Sequence, residues 1–177
     1  SITGLLPLIS VGYSLNKLLK SFISAKQKFI KNHLIFSKNI FTTIRYQNSK
    51  KLNNLVGLTY HERINAINEW YRQIFAESLG KNTKAKNYIS SYGSIDQHSQ
   101  FQLFIDGPKD KNFIFFRIHN KVFSIKNDIE LILDNNLCSI LEKGAIKTLE
   151  QKKYYVNQII INESLEDYSL LIFYLIF

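Results

Sequence analysis

Two short segments bring together side chains suited to proton transfer. Glu77 lies in Glu77-Ser78-Leu79-Gly80-Lys81, and His98 lies in Gly93-Ser94-Ile95-Asp96-Gln97-His98-Ser99-Gln100-Phe101-Gln102-Leu103, which leads into Asp106-Gly107-Pro108. A carboxylate and an imidazole, each beside a backbone turn that tunes its proton affinity, suit acid/base chemistry on a small neutral molecule.

Local pattern predicts how these groups are held. Ile64, Ile67, Trp70, Tyr71, Ile74 and Phe75 keep helical spacing from Arg63 to Ser78, and Gly80 stands where a left-handed C-cap residue belongs. Glu77 then falls in the last helical turn, where the partial negative charge of the terminal carbonyls disfavours a carboxylate and pushes its pKa upward. Gln73, one turn earlier, projects from the same face. Ser94 or Asp96 is expected to cap a helix running to about Ile105 and ended by Gly107-Pro108. His98 is thereby predicted in the first turn, where the positive end of the helix dipole keeps an imidazole neutral near pH 7.

Around these segments, apolar steps of three and four predict helices at Leu5–Ile9 and Leu15–Ile23, parted by Gly12 and Ser14, and another at His33–Tyr46 with Asn32 as N-cap. Leu55-Val56-Gly57-Leu58 reads as a buried strand, and Lys81 to Tyr92 as a loop. Phe113–Ile118 is a strand, Asn120–Asn136 irregular, Ser139–Gln151 a helix, Val156–Ile161 a strand, and Leu165–Phe177 a helix opened by Ser164. Alternating helices and strands imply an α/β fold, a three-layer sandwich with a mainly parallel sheet. The apolar run from Tyr168 to Phe177 is about half of what a membrane span requires and reads as a buried helix.

Composition narrows the function. The 177 residues, 45% hydrophobic with 13 Phe and 10 Tyr, fit one globular domain. The single cysteine, Cys138, has no disulfide partner and reads as a small apolar residue in a cytoplasmic protein. The net charge of +9 comes from lysines scattered between Lys17 and Lys153, a solvated surface rather than a nucleic-acid patch. His33, His61 and His119 sit in no metal-ligand pattern, and no Gly-rich nucleotide loop or Ser/His/Asp constellation is present.

The two motifs resemble glucose-6-phosphate isomerase in its bacterial form, where a helix ending in Glu-Ser-x-Gly-Lys precedes Gly-x-x-Asp-Gln-His-Ser-x-x-Gln-Leu and Asp-Gly-Pro. The likeness takes in Tyr60-His61-Glu62-Arg63, Glu69-Trp70-Tyr71-Arg72-Gln73 and Gly4-Leu5-Leu6-Pro7, and thins over Leu141–Leu149 and Gln158–Ile161. His61 and Glu62 stand where the family usually has Ser-Asp.

The resemblance implies that residues 1–177 are part of a second sugar-isomerase (SIS-type) domain that interconverts glucose 6-phosphate and fructose 6-phosphate without metal or organic cofactor. Glu77 would be the base that shuttles a proton between adjacent carbons, Gln73 a substrate contact and His98 the ring-opening acid/base. It also implies a homodimer in which the histidine reaches the neighbouring subunit's site, and neither a nucleic-acid partner nor a membrane. The chain has no methionine, opens within an apolar segment and ends on Leu170-Leu171-Ile172-Phe173-Tyr174-Leu175-Ile176-Phe177, so it reads as an internal fragment. The family's phosphate clamp, its transition-state arginine and its C-terminal lysine would lie outside it. The alternatives are a non-catalytic sugar-phosphate-binding module of the same fold and, further off, a basic nucleic-acid-binding protein.

Overall fold

Strand β1 (Asn54–Thr59) is buried along nearly its whole length, which a parallel strand achieves only when both faces of its sheet are covered. In the computed structural model, which describes residues 9–81, 85–119 and 129–176 and only the backbone at 36, 39 and 129–136, that is where it sits. The remaining elements are α1 (Leu15–Ser49), α2 (Glu62–Leu79), β2 (Asn87–Tyr92), α3 (Gly93–Asp96), α4 (Gln100–Asp106), β3 (Lys111–Ile118), α5 (Ile129–Gln151), β4 (Val156–Ile161) and α6 (Leu165–Ile176).

The four strands form one parallel sheet in the order β2-β1-β3-β4, with Asn54 beside Asn87 and Lys111, and Leu58 beside Ser91 and Phe115. Strand alternation sorts the core into two layers. Val56, Leu58, Tyr60, Phe113 and Phe115 meet Phe101 and Phe104 of α4 and Ala145, Ile146 and Leu149 of α5. On the opposite face Leu55, Tyr88 and Ile114 meet Tyr71 and Phe75 of α2. The result is a three-layer α/β sandwich, as the alternating pattern implied.

The chain divides into two units, residues 41–160 and residues 1–40 with 161–177. The larger holds the sheet, and there the last turns of α1 tie to it through Gln47, whose Nε2 donates to Asn112 Oδ1 at 2.8 Å, and through the stacked rings of Tyr46 and Tyr155. In the smaller, Phe173 of α6 packs against Phe22 and Phe29 of α1, and Glu166 accepts from Ser24 Oγ at 2.7 Å and pairs with Lys28 at 2.6 Å. Ser164 caps α6 by accepting from the Asp167 N–H at 3.1 Å.

Three local expectations change. α1 is continuous through residues 23–33, because Ala25-Lys26-Gln27-Lys28 are strong helix formers with no Gly or Pro among them. Asn32 is therefore not a cap, and its Nδ2 donates to the Lys28 carbonyl within the helix. The expected loop 81–92 contains β2, an edge strand whose Asn and Ser residues hide its character. Part of Asn120–Asn136 is helical, since α5 begins at Ile129. The expected helix Leu5–Ile9 falls almost wholly outside the described residues.

Candidate active site

Glu77 is carried, as expected, in the last turn of α2, where it is exposed. Gln73 donates from Nε2 to Glu77 Oε1 at 2.9 Å, so the two residues share one face of the helix. The helix ends without a left-handed residue: Gly80 has φ −76°, and its N–H bonds the Ala76 carbonyl at 3.1 Å. A glycine is still needed, since a Cβ there would lie 2.4 Å from the Ala76 carbonyl oxygen.

His98 lies elsewhere than expected. The stretch after β2 forms two short helices, α3 and α4, and His98 occupies the turn between them, ahead of the N-cap Ser99. It is exposed, and its N–H reaches the Ile95 carbonyl at 3.4 Å. His98 is thus not a first-turn residue, and the helix-dipole reason for its neutrality does not apply. Asp96 is not a first-turn cap either; it ends α3 and reaches back, its Oδ2 accepting from Tyr92 N–H and Ser91 Oγ at 2.8 Å each, while Oδ1 accepts from Ser99 Oγ at 3.2 Å. Gln97 accepts at Oε1 from the Tyr60 hydroxyl at 3.0 Å.

Sheet topology separates the two candidates within one chain. α2 leaves the C-terminal end of β1 and returns to the N-terminal start of β2, a run of about 27 Å at 1.5 Å per residue. Its final turn borders a cleft of ≈ 290 Å³ lined in part by Phe75, Ala76, Gly80, Lys86 and Asn87. Gln73 and Glu77 thus stand by the edge where the strands begin, whereas His98 follows the edge where β2 ends. The structure brings Gln73 and Glu77 together and leaves His98 apart.

A second polar group at the strands' C-terminal ends escaped the sequence reading. Arg117, from β3, donates from Nε to Glu142 Oε2 of α5 at 2.8 Å and from Nη1 to Gln158 Oε1 at 2.7 Å. Burial pushes the Glu142 carboxyl above its ordinary range, and Arg117 pulls it back only in part. The signal was legible: Glu142 falls in the apolar phase with Ala145, Ile146 and Leu149. Asn68 likewise sits in the buried stripe of α2 and donates to the Gly57 carbonyl at 2.8 Å while accepting from Tyr88.

Among the described residues, no group of three or more His, Cys, Asp or Glu is placed to hold a metal ion, and no helix is long and apolar enough to cross a membrane.

Comparison with known proteins gives this geometry a context. The chain is 33% identical over 133 residues to a glucose-6-phosphate isomerase of Methanocaldococcus jannaschii, and 36% identical over 124 residues to that of Campylobacter jejuni. The likeness is to glucose-6-phosphate isomerases. These alignments cover 72% and 67% of this chain but 32% and 30% of the two isomerases. A probable glucose-6-phosphate isomerase of Methanococcus maripaludis is 27% identical over 87% of the chain and 36% of its own length, so the chain spans about a third of the isomerases it matches. No family model matches. A crystal structure of a hypothetical protein from Thermus thermophilus superposes with a TM-score of 0.75 at 23% identity, covering 99% of this chain and 46% of that one, a likeness of fold alone.

Proposed function

We propose that the chain is part of the second sugar-isomerase domain of a glucose-6-phosphate isomerase, acting on sugar phosphates in the cytoplasm without a cofactor. The observation that carries this reading is the Gln73–Glu77 pair at the end of α2, within a chain whose curated relatives bear that name. His98 opens the pyranose ring by passing a proton to the ring oxygen and taking up the one the C1 hydroxyl releases. Glu77 then removes the proton from C2, and the electron pair moves into the C1 carbonyl to give an enediolate. The C2 hydroxyl proton passes to the C1 oxygen, and the same carboxylic acid returns its proton to C1 as the C2 carbonyl forms, which completes the aldose-to-ketose change with no net gain or loss of atoms. Gln73 steadies Oε1 and leaves Oε2 for the carbon-bound proton.

Because one chain sets Glu77 and His98 at opposite sheet edges, a complete site takes its histidine from a second copy in a symmetric dimer. Fructose 6-phosphate conversion by the intact protein and by Glu77→Gln tests the assignment. Turnover lost with binding retained is the expected result. Turnover kept in Glu77→Gln removes the base from its role, and binding without turnover in the parent favours a sugar-phosphate-binding module.

A further inference from the structure

His98 is exposed and has one long backbone bond, so its position depends on what grips the turn on either side. Asp96 provides one grip through Ser91, Tyr92 and Ser99. The second comes from a different strand. Tyr60 directly follows β1, is 2% exposed and belongs to the core cluster of Val56, Leu58, Phe113 and Phe115. Its ring lies so close over Gly93 that a Cβ at that position would be 2.4 Å from Cζ. The hydroxyl at the ring's far end donates to Gln97, the residue before His98.

Taking the isomerase reading as its basis, we propose that Tyr60 is a positioning residue for His98, clamping the 93–98 turn at both ends with its ring on Gly93 and its hydroxyl on Gln97. The clamp is rigid because its anchor is: a tyrosine has two side-chain torsions, and here both are held by core packing. It also keeps its sense. Burial, with the Glu142 carboxylate adding to it, drives the phenol far above its ordinary range, so the hydroxyl remains a donor and Gln97 must present its oxygen. This accounts for the glycine and the glutamine of the Gly-x-x-Asp-Gln-His string as parts of one device: only glycine fits beneath the ring, and the glutamine supplies the acceptor.

Tyr60→Phe keeps the ring and removes only the hydroxyl, and Gln97→Ala removes the acceptor. Each should lower kcat for fructose 6-phosphate conversion by about tenfold, the worth of one hydrogen bond, with KM changed less than about twofold. The double variant should be no slower than either single one, because both break the same link. In a spectrum of the intact protein, the His98 imidazole resonance should shift in Tyr60→Phe. Unchanged kcat in Tyr60→Phe, or losses that multiply in the double variant, overturns the clamp. A parent protein without turnover sinks the isomerase reading instead; the imidazole resonance then decides, a shift in Tyr60→Phe supporting the clamp and an unmoved signal overturning it.

Discussion

Arg117 meets Glu142 with an Nε–Oε2 separation of 2.8 Å, and the glutamate side chain keeps only 2% of its surface exposed. Oε1 of the same carboxylate has no hydrogen-bond partner among the described residues. The pair links α5 to β3, and through Gln158 to β4, so it stitches one helical layer to the strands' ends.

Arg117→Met removes the compensating cation and leaves a buried carboxylate, at a cost of about 3 kcal/mol. Urea unfolding at neutral pH should show this as a lower midpoint with an unchanged slope. Glu142→Gln, which takes away the charge, should restore part of the loss when combined with it.

The pH dependence of stability follows from the same carboxylate. Its folded pKa is raised above the ordinary 4.5, chiefly by burial. Below that ordinary value both folded and unfolded chains hold the proton and the contribution is complete. As pH rises the unfolded chain releases its proton first, so the contribution declines through the folded value. Unfolding free energies measured at a series of pH values should fall for the wild type relative to Glu142→Gln as pH increases above 4.5. Parallel curves for the two proteins contradict the assignment.

Gly57 is packed to its limit on the central strand. A Cβ there would lie 1.8 Å from Tyr88 Oη and 2.5 Å from Asn68 Oδ1. Gly57→Ala is expected to cost about 1–3 kcal/mol through overpacking. Tyr88→Phe in the same protein should recover part of that cost by removing the nearer atom. Thermal unfolding of the single and double variants checks the pair.

Asp96→Ala deprives the Tyr92 N–H and the Ser91 and Ser99 hydroxyls of their shared acceptor. The cost should be about 1–2 kcal/mol. Amide exchange should quicken at Tyr92 more than at residues of β3, and equal protection throughout would show that Asp96 does not hold the turn.

Mixing Glu77→Gln with His98→Ala tests the two-edge geometry directly. If sites are completed across a symmetric dimer, random re-pairing of equal amounts restores about a quarter of the wild-type turnover, because half the dimers are mixed and each carries one intact site. A mixture as inactive as its parts shows that both groups must come from one chain.

Much of the frame was legible in the residues alone. β1 and most of β3 are apolar because strands covered on both faces have little room for polar side chains, β4 closes on three isoleucines, and α2 announced itself by one unbroken apolar stripe. The placing of Glu77 and Gln73 one turn apart near a helix end followed from that stripe. Strand β2 was hidden because an edge strand satisfies polar residues locally, as Ser90 does with Glu69 and Ser91 with Asp96. What only the tertiary structure decided is direction and distance. A parallel β-α-β crossover must travel the length of its sheet and back, so residues close in sequence, Glu77 and His98, finish by opposite edges. The turn that carries His98 takes its shape from Tyr60, a neighbour that no local pattern could have named, because their contact is made by the pairing of β1 with β2.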